Sequence, residues 1–152
     1  MLNPIKSIVK YNKDAGLLEK PYDDFLESSF QIEEALEGHN TLPYLAMQLN
    51  MGSEVADAKE ISREIVSQAN YNYELSDVDR LDKACDAVVY AIGSMAKLGL
   101  DAQQITKALN IVMQFNNAKL VNKQVDSAGK LMKPEGFVGP EAELQKLLDQ
   151  RN

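Results

Sequence analysis

The chain has 152 residues, 45% of them hydrophobic and 26% charged, and acidic residues outnumber basic ones by 23 to 16. This length and composition predict a single globular domain over residues 1–152. The formal charge of −7 excludes a broadly positive surface that would attract nucleic acid. The apolar runs are far shorter than the roughly 20 residues of a membrane span, so we expect a soluble, cytoplasmic protein without membrane contact.

The cysteine and histidine content limits the metal chemistry. Cys85 is the single cysteine and His39 the single histidine. An intramolecular disulfide and a zinc site of the usual Cys/His spacing are both excluded. Any bound metal ion must be held mainly by oxygen, and a phosphate-bearing ligand would need a cation to accompany it.

Helical periodicity and helix end signals dominate the sequence, while strand signals are weak and no internal repeat is present. We therefore expect an all-α helical bundle, in which ligand sites are built from side chains on facing helices. The segment from Thr41 to Asn50 is ambiguous, and Tyr71 to Tyr73 is predicted to be a connector. The first predicted helix runs from Asn3-Pro4 to near Gly16, with Ile5, Ile8 and Val9 on its apolar face, and the second runs from Tyr22 to Glu37, before Gly38. The third is capped by Ser53 and has Val55, Ala58, Ile61, Ile65 and Ala69 at helical spacing. The fourth, fifth and sixth run from Ser76 or Asp77 to about Leu98, from Asp101 to about Val121, and from Glu141 to Leu148.

Carboxylates extend the apolar stripe of the second predicted helix. Glu33 and Glu37 continue the face that begins with Leu26 and Phe30, and Glu34 stands beside them. The like charges repel one another unless a cation lies between them. The charge pattern by itself is equally typical of a solvated helix surface.

The fourth predicted helix repeats the acidic pattern. Asp82 and Asp86 lie one turn apart and share a face with Tyr90 and Gly93. If the two acidic faces meet in the bundle, four or five carboxylates converge. A hard, oxygen-seeking cation such as Mg²⁺ is the natural way to neutralise them.

Cationic and amide side chains follow these acids along the chain. Asn116 and Lys119 interrupt an apolar stripe, and Lys130 and Lys133 lie in a loop that is bounded by glycine and proline and ends near Phe137. One interpretation is that they reach phosphate oxygens. The alternatives are that Lys119 serves the helix C-terminus, where cations are favoured, and that the loop is solvated surface tied down by Phe137.

These motifs resemble those of the all-α nucleoside triphosphate pyrophosphohydrolase superfamily, which includes MazG-like proteins, dimeric dUTPases and phosphoribosyl-ATP pyrophosphohydrolases. Glu33-Glu34-Ala35-Leu36-Glu37 resembles the EExxE element, and the stretch from Asp82 to Gly93 resembles a DxxxDxxxYxxG form of the second acidic element. Asn116 to Lys119 resembles an NxxK element, and the stretch from Gly129 to Phe137 resembles the tail of the phosphoribosyl-ATP pyrophosphohydrolase-like members.

The resemblance implies an Mg²⁺-dependent enzyme, with Mn²⁺ as an alternative ion, that assembles as a homodimer or homotetramer. It assigns Mg²⁺ ligation to Glu34, Glu37, Asp82 and Asp86, activation of the attacking water to Glu33, and substrate binding to Asn116, Lys119, Lys130 and Lys133. The chain departs from the family in two ways. Lys83 stands where many members have a glutamate ligand, so Asp82 must substitute, and the segment between the acidic elements is longer than usual and offers Glu60 or Glu64 to the site.

The implied reaction is hydrolysis of a nucleoside triphosphate to the monophosphate and pyrophosphate by a metal-activated water. Two other functions stay open. One is hydrolysis of phosphoribosyl-ATP. The other is a non-catalytic helical interaction protein whose acidic faces bind a basic partner.

Overall fold

The computed structural model describes residues 3–52, 54–55, 57–69, 75–127 and 129–150. Within these ranges the architecture is all-α, as the periodicity predicts, and the extended pairing is limited to one antiparallel bridge between Val125 and Leu131. None of the described helices combines the length and the apolar composition that crossing a bilayer requires. The α-helices are α1 (Pro4–Ala15), α2 (Asp24–Leu36), α3 (Leu42–Gln48), α4 (Ala58–Gln68), α5 (Asp77–Lys97), α6 (Ala102–Ala118) and α7 (Glu141–Asp149), with a short 3-10 turn at Leu17–Glu19.

The chain divides into two compact units. The first, called the α1/α6 unit, consists of Met1–Lys20 and Leu81–Asn152. The second, called the α2/α4 unit, is the continuous segment Pro21–Arg80.

In the α1/α6 unit, α1 packs on α6 and α6 packs on α7. The Asn3 side chain accepts hydrogen bonds from the first-turn N–H groups of α1, and Gly16 ends the helix at φ 78°, as the sequence predicts. The predicted apolar face is wrong in part, since Ile5 and Val9 are exposed while Ala15 is buried. Ile8 is half-buried and lies two turns before Ala15, so the buried side of α1 runs along these two residues.

Helix α6 begins where Asp101 predicts. The Asp101 carboxylate accepts from the Gln104 N–H, and the Gln104 side chain accepts in return from the Asp101 N–H. This reciprocal cap satisfies two N–H groups that would otherwise have no partner at the helix start. The helix buries Ile105, Ala108 and Met113.

In the α2/α4 unit, α2 and α3 both pack on α4. The core is a cluster of Leu42, Ala46, Ala58 and Ile61, of which Ala46 and Ile61 have no exposed surface. Each of α2 and α4 also buries a serine, and the hydroxyls of Ser29 and Ser62 donate to backbone carbonyls of their own helices. These two hydroxyls are therefore buried with their hydrogen bonds made locally.

Two predicted boundaries change in this unit. Helix α2 starts after Asp23, whose carboxylate accepts from the N–H groups of Phe25 and Leu26, and not at Tyr22. Helix α4 starts after Asp57, which accepts from the Lys59 N–H, whereas the proposed cap Ser53 lies outside the described residues, as do Tyr71 to Tyr73. The ambiguous segment after Thr41 contains α3.

Helix α5 is long and exposed. Ser76 and Asp79 bond reciprocally at its start, and Gly99 at φ 87° follows its end, so both predicted limits are confirmed. The Arg80 guanidinium binds the Asp24 carboxylate with Nη2 to Oδ2 at 2.8 Å and lies over the Tyr22 ring at 4.8 Å from its centroid. None of the residues of α5 is buried.

Candidate functional site

A cavity of about 520 Å³ opens in the α2/α4 unit at the end of α2. Its size falls within the range of small-molecule sites in proteins. Three segments form its wall: the last turn of α2, the connection to α3 and the first turn of α4. The lining residues are Glu33, Glu37, Gly38, Leu42, Asp57, Ala58 and Lys59.

Glu33 is the buried acid of this wall. Its side chain is 7% exposed, and among the described residues it is the charged residue that the structure buries. It lies one turn after Ser29 on α2, the helix that packs against α4, and Ala58 of α4 lines the same cavity. A charged side chain is rarely buried to this degree unless partners hold it or a function requires it.

The other two acids of the EExxE element lie differently. Glu34 and Glu37 are both exposed, and Glu37 also lines the cavity. Glu37 is the C-cap of α2, where its N–H donates to the Glu33 carbonyl, and Gly38 follows at φ 80°, a left-handed conformation that glycine adopts at no steric cost. The helix end therefore places Glu33 and Glu37 on the cavity and Glu34 outside its lining.

The start of α4 supplies two cavity residues that the sequence reasoning missed. Asp57 caps the helix, and Lys59 contributes an ammonium group to a wall that is otherwise acidic. The available signal was Asp57 followed by Glu60 three residues later, a helix start pattern that points to this position rather than to Ser53. Glu60 and Glu64, which the sequence offers as additional site residues, do not line the cavity; Glu64 accepts a hydrogen bond from Gln68.

Asp82 and Asp86 are exposed on α5 in the α1/α6 unit, whereas Glu33, Glu34 and Glu37 belong to the α2/α4 unit. Their convergence around one ion stays a prediction. Among the described residues, His, Cys, Asp and Glu side chains do not form a group of three or more in an arrangement that could hold a metal ion. The donors that line the cavity are carboxylates, which is the ligand chemistry that Mg²⁺ prefers.

Two of the predicted phosphate-binding residues lie at the end of α6. Asn116 is half-buried, and Lys119 is the C-cap residue, with its Nζ 5.5 Å from the centroid of the Phe137 ring. This cation–π contact joins the NxxK element to the loop that follows it. It agrees with both parts of the alternative interpretation, in which Lys119 serves the helix terminus and Phe137 holds the loop.

The loop lysines differ in exposure. Lys133 is exposed, whereas Lys130 is half-buried and its backbone N–H donates to the Asp126 carboxylate at 3.0 Å. Lys130 also acts on Tyr11 of α1: burial raises the pKa of the Tyr11 hydroxyl above its ordinary value, and the positive charge of Lys130 opposes that rise. The loop is therefore packed near α1 rather than extended into solvent.

The comparisons with known proteins found no matching family model, no matching curated protein and no matching solved structure.

Proposed function

We propose that this protein is an Mg²⁺-dependent nucleoside triphosphate pyrophosphohydrolase that releases the nucleoside monophosphate and pyrophosphate. The observation that carries the proposal is the placement of Glu33. The first acid of the EExxE element is the one that is buried, and it lines an open cavity large enough for a nucleotide phosphate chain. The proposed role of Glu33 calls for a shielded carboxylate on the cavity wall, whereas most glutamates on a solvated helix face stay exposed.

The proposed Mg²⁺ ligands are Glu34, Glu37, Asp82 and Asp86, all exposed carboxylates. When bound, Mg²⁺, or Mn²⁺ in its place, lowers the pKa of a coordinated water and neutralises charge on the phosphate oxygens. The protein residues then have separate tasks. Mechanistically, a ligand carboxylate must be reachable by the ion, as the exposed Glu37 is, whereas a general base is more effective when it is shielded from bulk water, as Glu33 is.

Glu33 accepts the proton of the attacking water in the proposed reaction. The O–H bond of the water breaks as its oxygen bonds to the α-phosphorus, and pyrophosphate leaves with the electrons of the α–β bridging bond. Lys59 lies on the same cavity wall and offers a positive charge for a phosphate oxygen. Asn116, Lys119, Lys130 and Lys133 are the further phosphate ligands that the family resemblance proposes.

The decisive experiment incubates the protein with Mg²⁺ and a panel of canonical and modified nucleoside triphosphates that includes phosphoribosyl-ATP, and identifies the products by mass spectrometry and ³¹P NMR. We expect monophosphate and pyrophosphate from at least one substrate, and none in EDTA. Glu33→Gln should lower turnover by about 10²–10⁴-fold, the usual contribution of a general base. Glu60→Gln is the matched control in the same unit, because Glu60 is exposed and does not line the cavity. Release of orthophosphate and diphosphate, or equal turnover in the two variants, would contradict the proposal.

A second candidate function is that of a helical interaction protein without catalysis. The observation that favours it is α5, which has no buried residue and carries exposed valines, leucine and isoleucine. Thermal melts of wild type, Glu37→Gln and Asp86→Asn in EDTA and in excess Mg²⁺ separate the two candidates. An enzyme with an Mg²⁺ site gains stability that increases with its affinity for the ion, and both variants lose that gain, whereas an interaction protein that binds no metal ion responds only to ionic strength.

A further inference from the structure

The basic residues of the chain are concentrated in two segments of the α1/α6 unit. Residues 1–20 and 119–133 contain eight lysines and three acidic residues, which gives these segments a net charge of +5. The rest of the chain contains eight basic and 20 acidic residues, a net charge of −12. The overall charge of −7 therefore combines a positive region with a strongly negative remainder and hides the difference between them.

The structure brings lysines of the two segments together at the C-terminal end of α1. The Lys123 ammonium donates to the Asp14 carbonyl of α1, with Nζ to O at 3.4 Å. The Lys20 ammonium lies against Gly129, where the absence of a Cβ atom leaves room for it. Both lysines are exposed, so their charges are accessible to a partner beside the end of the helix.

The outward face of α1 continues this positive region. The side of the helix away from its buried residue carries its exposed lysines, Lys6, Lys10 and Lys13. Ile5 and Val9 lie beside them and are 70% and 53% exposed. At about 100° per residue, Val9, Lys13 and Lys6 fall within roughly 60° of one another around the helix. Ammonium groups and aliphatic side chains therefore share one exposed surface.

This surface matches an anionic lipid bilayer in both of its components. Ammonium groups are attracted to anionic headgroups, and exposed aliphatic side chains are stabilised by entering the boundary between headgroups and acyl chains. Nucleic acid is a poorer match. The two segments contain no arginine to form paired hydrogen bonds with phosphates, and their single aromatic residue, Tyr11, is half-buried rather than available to stack on bases.

We propose that this surface, called the basic face, attaches the protein to an anionic lipid bilayer by contact with the headgroups. Its members are exposed residues of the α1/α6 unit: Ile5, Val9, Lys6, Lys10, Lys13, Lys20 and Lys123. The expectation of no membrane contact rests on the lack of a membrane-spanning run, and attachment at the surface needs no such run. The proposal is independent of the proposed enzymatic function, because none of these residues is assigned to the candidate site.

The first test measures binding of the full-length protein to vesicles by cosedimentation. We expect binding to vesicles of equal parts phosphatidylglycerol and phosphatidylcholine at about 0.1 M NaCl, and little binding to pure phosphatidylcholine or to the mixed vesicles at about 1 M NaCl. A lysine close to an anionic bilayer strengthens binding by about fivefold. Combining Lys6→Gln, Lys10→Gln and Lys13→Gln should therefore weaken binding to the mixed vesicles by about a hundredfold.

The matched control removes the same number of charges elsewhere on the unit. It combines Lys97→Gln, Lys107→Gln and Lys146→Gln, at exposed lysines of α5, α6 and α7. This variant has the same net charge as the first and should keep the wild-type affinity within about threefold. Wild-type protein that does not bind the mixed vesicles, or an equal loss in the two triple variants, would overturn the proposal.

The second test separates a bilayer from nucleic acid through the aliphatic side chains. Combining Ile5→Ser with Val9→Ser retains every charge, and it should weaken binding to the mixed vesicles by about tenfold or more because apolar contact with the bilayer is lost. Val78→Ser combined with Val138→Ser is the control, since both valines are exposed outside the basic face, and it should bind as the wild type does. Wild-type binding to a single-stranded oligonucleotide that exceeds binding to the vesicles, or equal vesicle binding of the two double variants, would overturn the lipid assignment. Circular dichroism of each variant verifies that the helices are retained.

Discussion

Ile61 supports the candidate site because it holds the start of α4 against its neighbours. Its side chain is fully buried and belongs to the cluster formed with Leu42, Ala46 and Ala58. Truncation of a buried isoleucine to alanine costs about 2–5 kcal/mol, and the cost rises with the volume of the cavity that remains. Two of the neighbours are alanines, whose single methyl groups cannot rearrange into the space, but larger side chains such as Leu45 and Met51 also pack against the cluster and can relax in part. We therefore expect a loss of about 2–5 kcal/mol for Ile61→Ala.

Urea denaturation followed by circular dichroism measures this loss of unfolding free energy. Ile61→Val removes one methyl group and should cost about 0.5–1.5 kcal/mol. Ile65→Ala truncates a half-buried isoleucine one turn later on α4 and should cost clearly less than Ile61→Ala, because part of that side chain already contacts water. The prediction is refuted if Ile61→Ala costs under about 1 kcal/mol or no more than Ile65→Ala, since either result would mean that the full burial of Ile61 adds no stability beyond partial burial against the same cluster.

Three further predictions concern charged and titratable side chains. Lys59→Ala should raise the KM for a triphosphate about tenfold with little change in Mg²⁺ affinity. Lys107→Ala is the control, because Lys107 is an exposed lysine of α6, and it should leave KM unchanged. Equal effects of the two substitutions on KM in steady-state kinetics would remove Lys59 from the site. Burial raises the pKa of Tyr11 in the folded state above its ordinary value of 10.0. The contribution of the protonated Tyr11 hydroxyl to stability is therefore full below about pH 10 and is lost as the pH rises further. Thermal melts between about pH 9 and 11 should show an alkaline loss of stability that is smaller in Tyr11→Phe. Asp24→Asn weakens the charge-assisted hydrogen bond to Arg80 and should accelerate hydrogen exchange in the first turn of α5. Unchanged exchange would show that the Asp24–Arg80 pair does not anchor that turn.

Helix ends were the most predictable part of the fold. Asn3, Gly16 and Asp101 all act where the sequence places them, because capping is a contact between a side chain and the backbone a few residues away. The start of α4 was missed for a related reason. Ser53 and Asp57 are both plausible caps, and local chemistry does not choose between two suitable residues four positions apart.

The site could be predicted only in part. The EExxE element indicates which helix bears the acids, and its helical spacing indicates a shared face for Glu33 and Glu37, both of which line the cavity. Burial was beyond the sequence, since Glu33 is enclosed and Glu37 exposed although both were assigned to one stripe. The difference arises because α2 ends at Leu36, so Glu37 leaves the helix face that packs on α4.

The sequence by itself determined the helical class, most helix limits and the oxygen-rich character of any metal site, because each depends on residue type and on neighbours within about one helical turn. Only the tertiary structure decided that Asp57 and Lys59 line the same cavity as Glu33, and that apolar side chains of α5 such as Val78 and Leu81 are exposed instead of buried in a core. These facts depend on which helix packs on which, and that choice is made between helices that are distant along the chain, such as α2 and α4. Periodicity shows that a face is apolar, but the partner that covers it is set by shape and packing between elements.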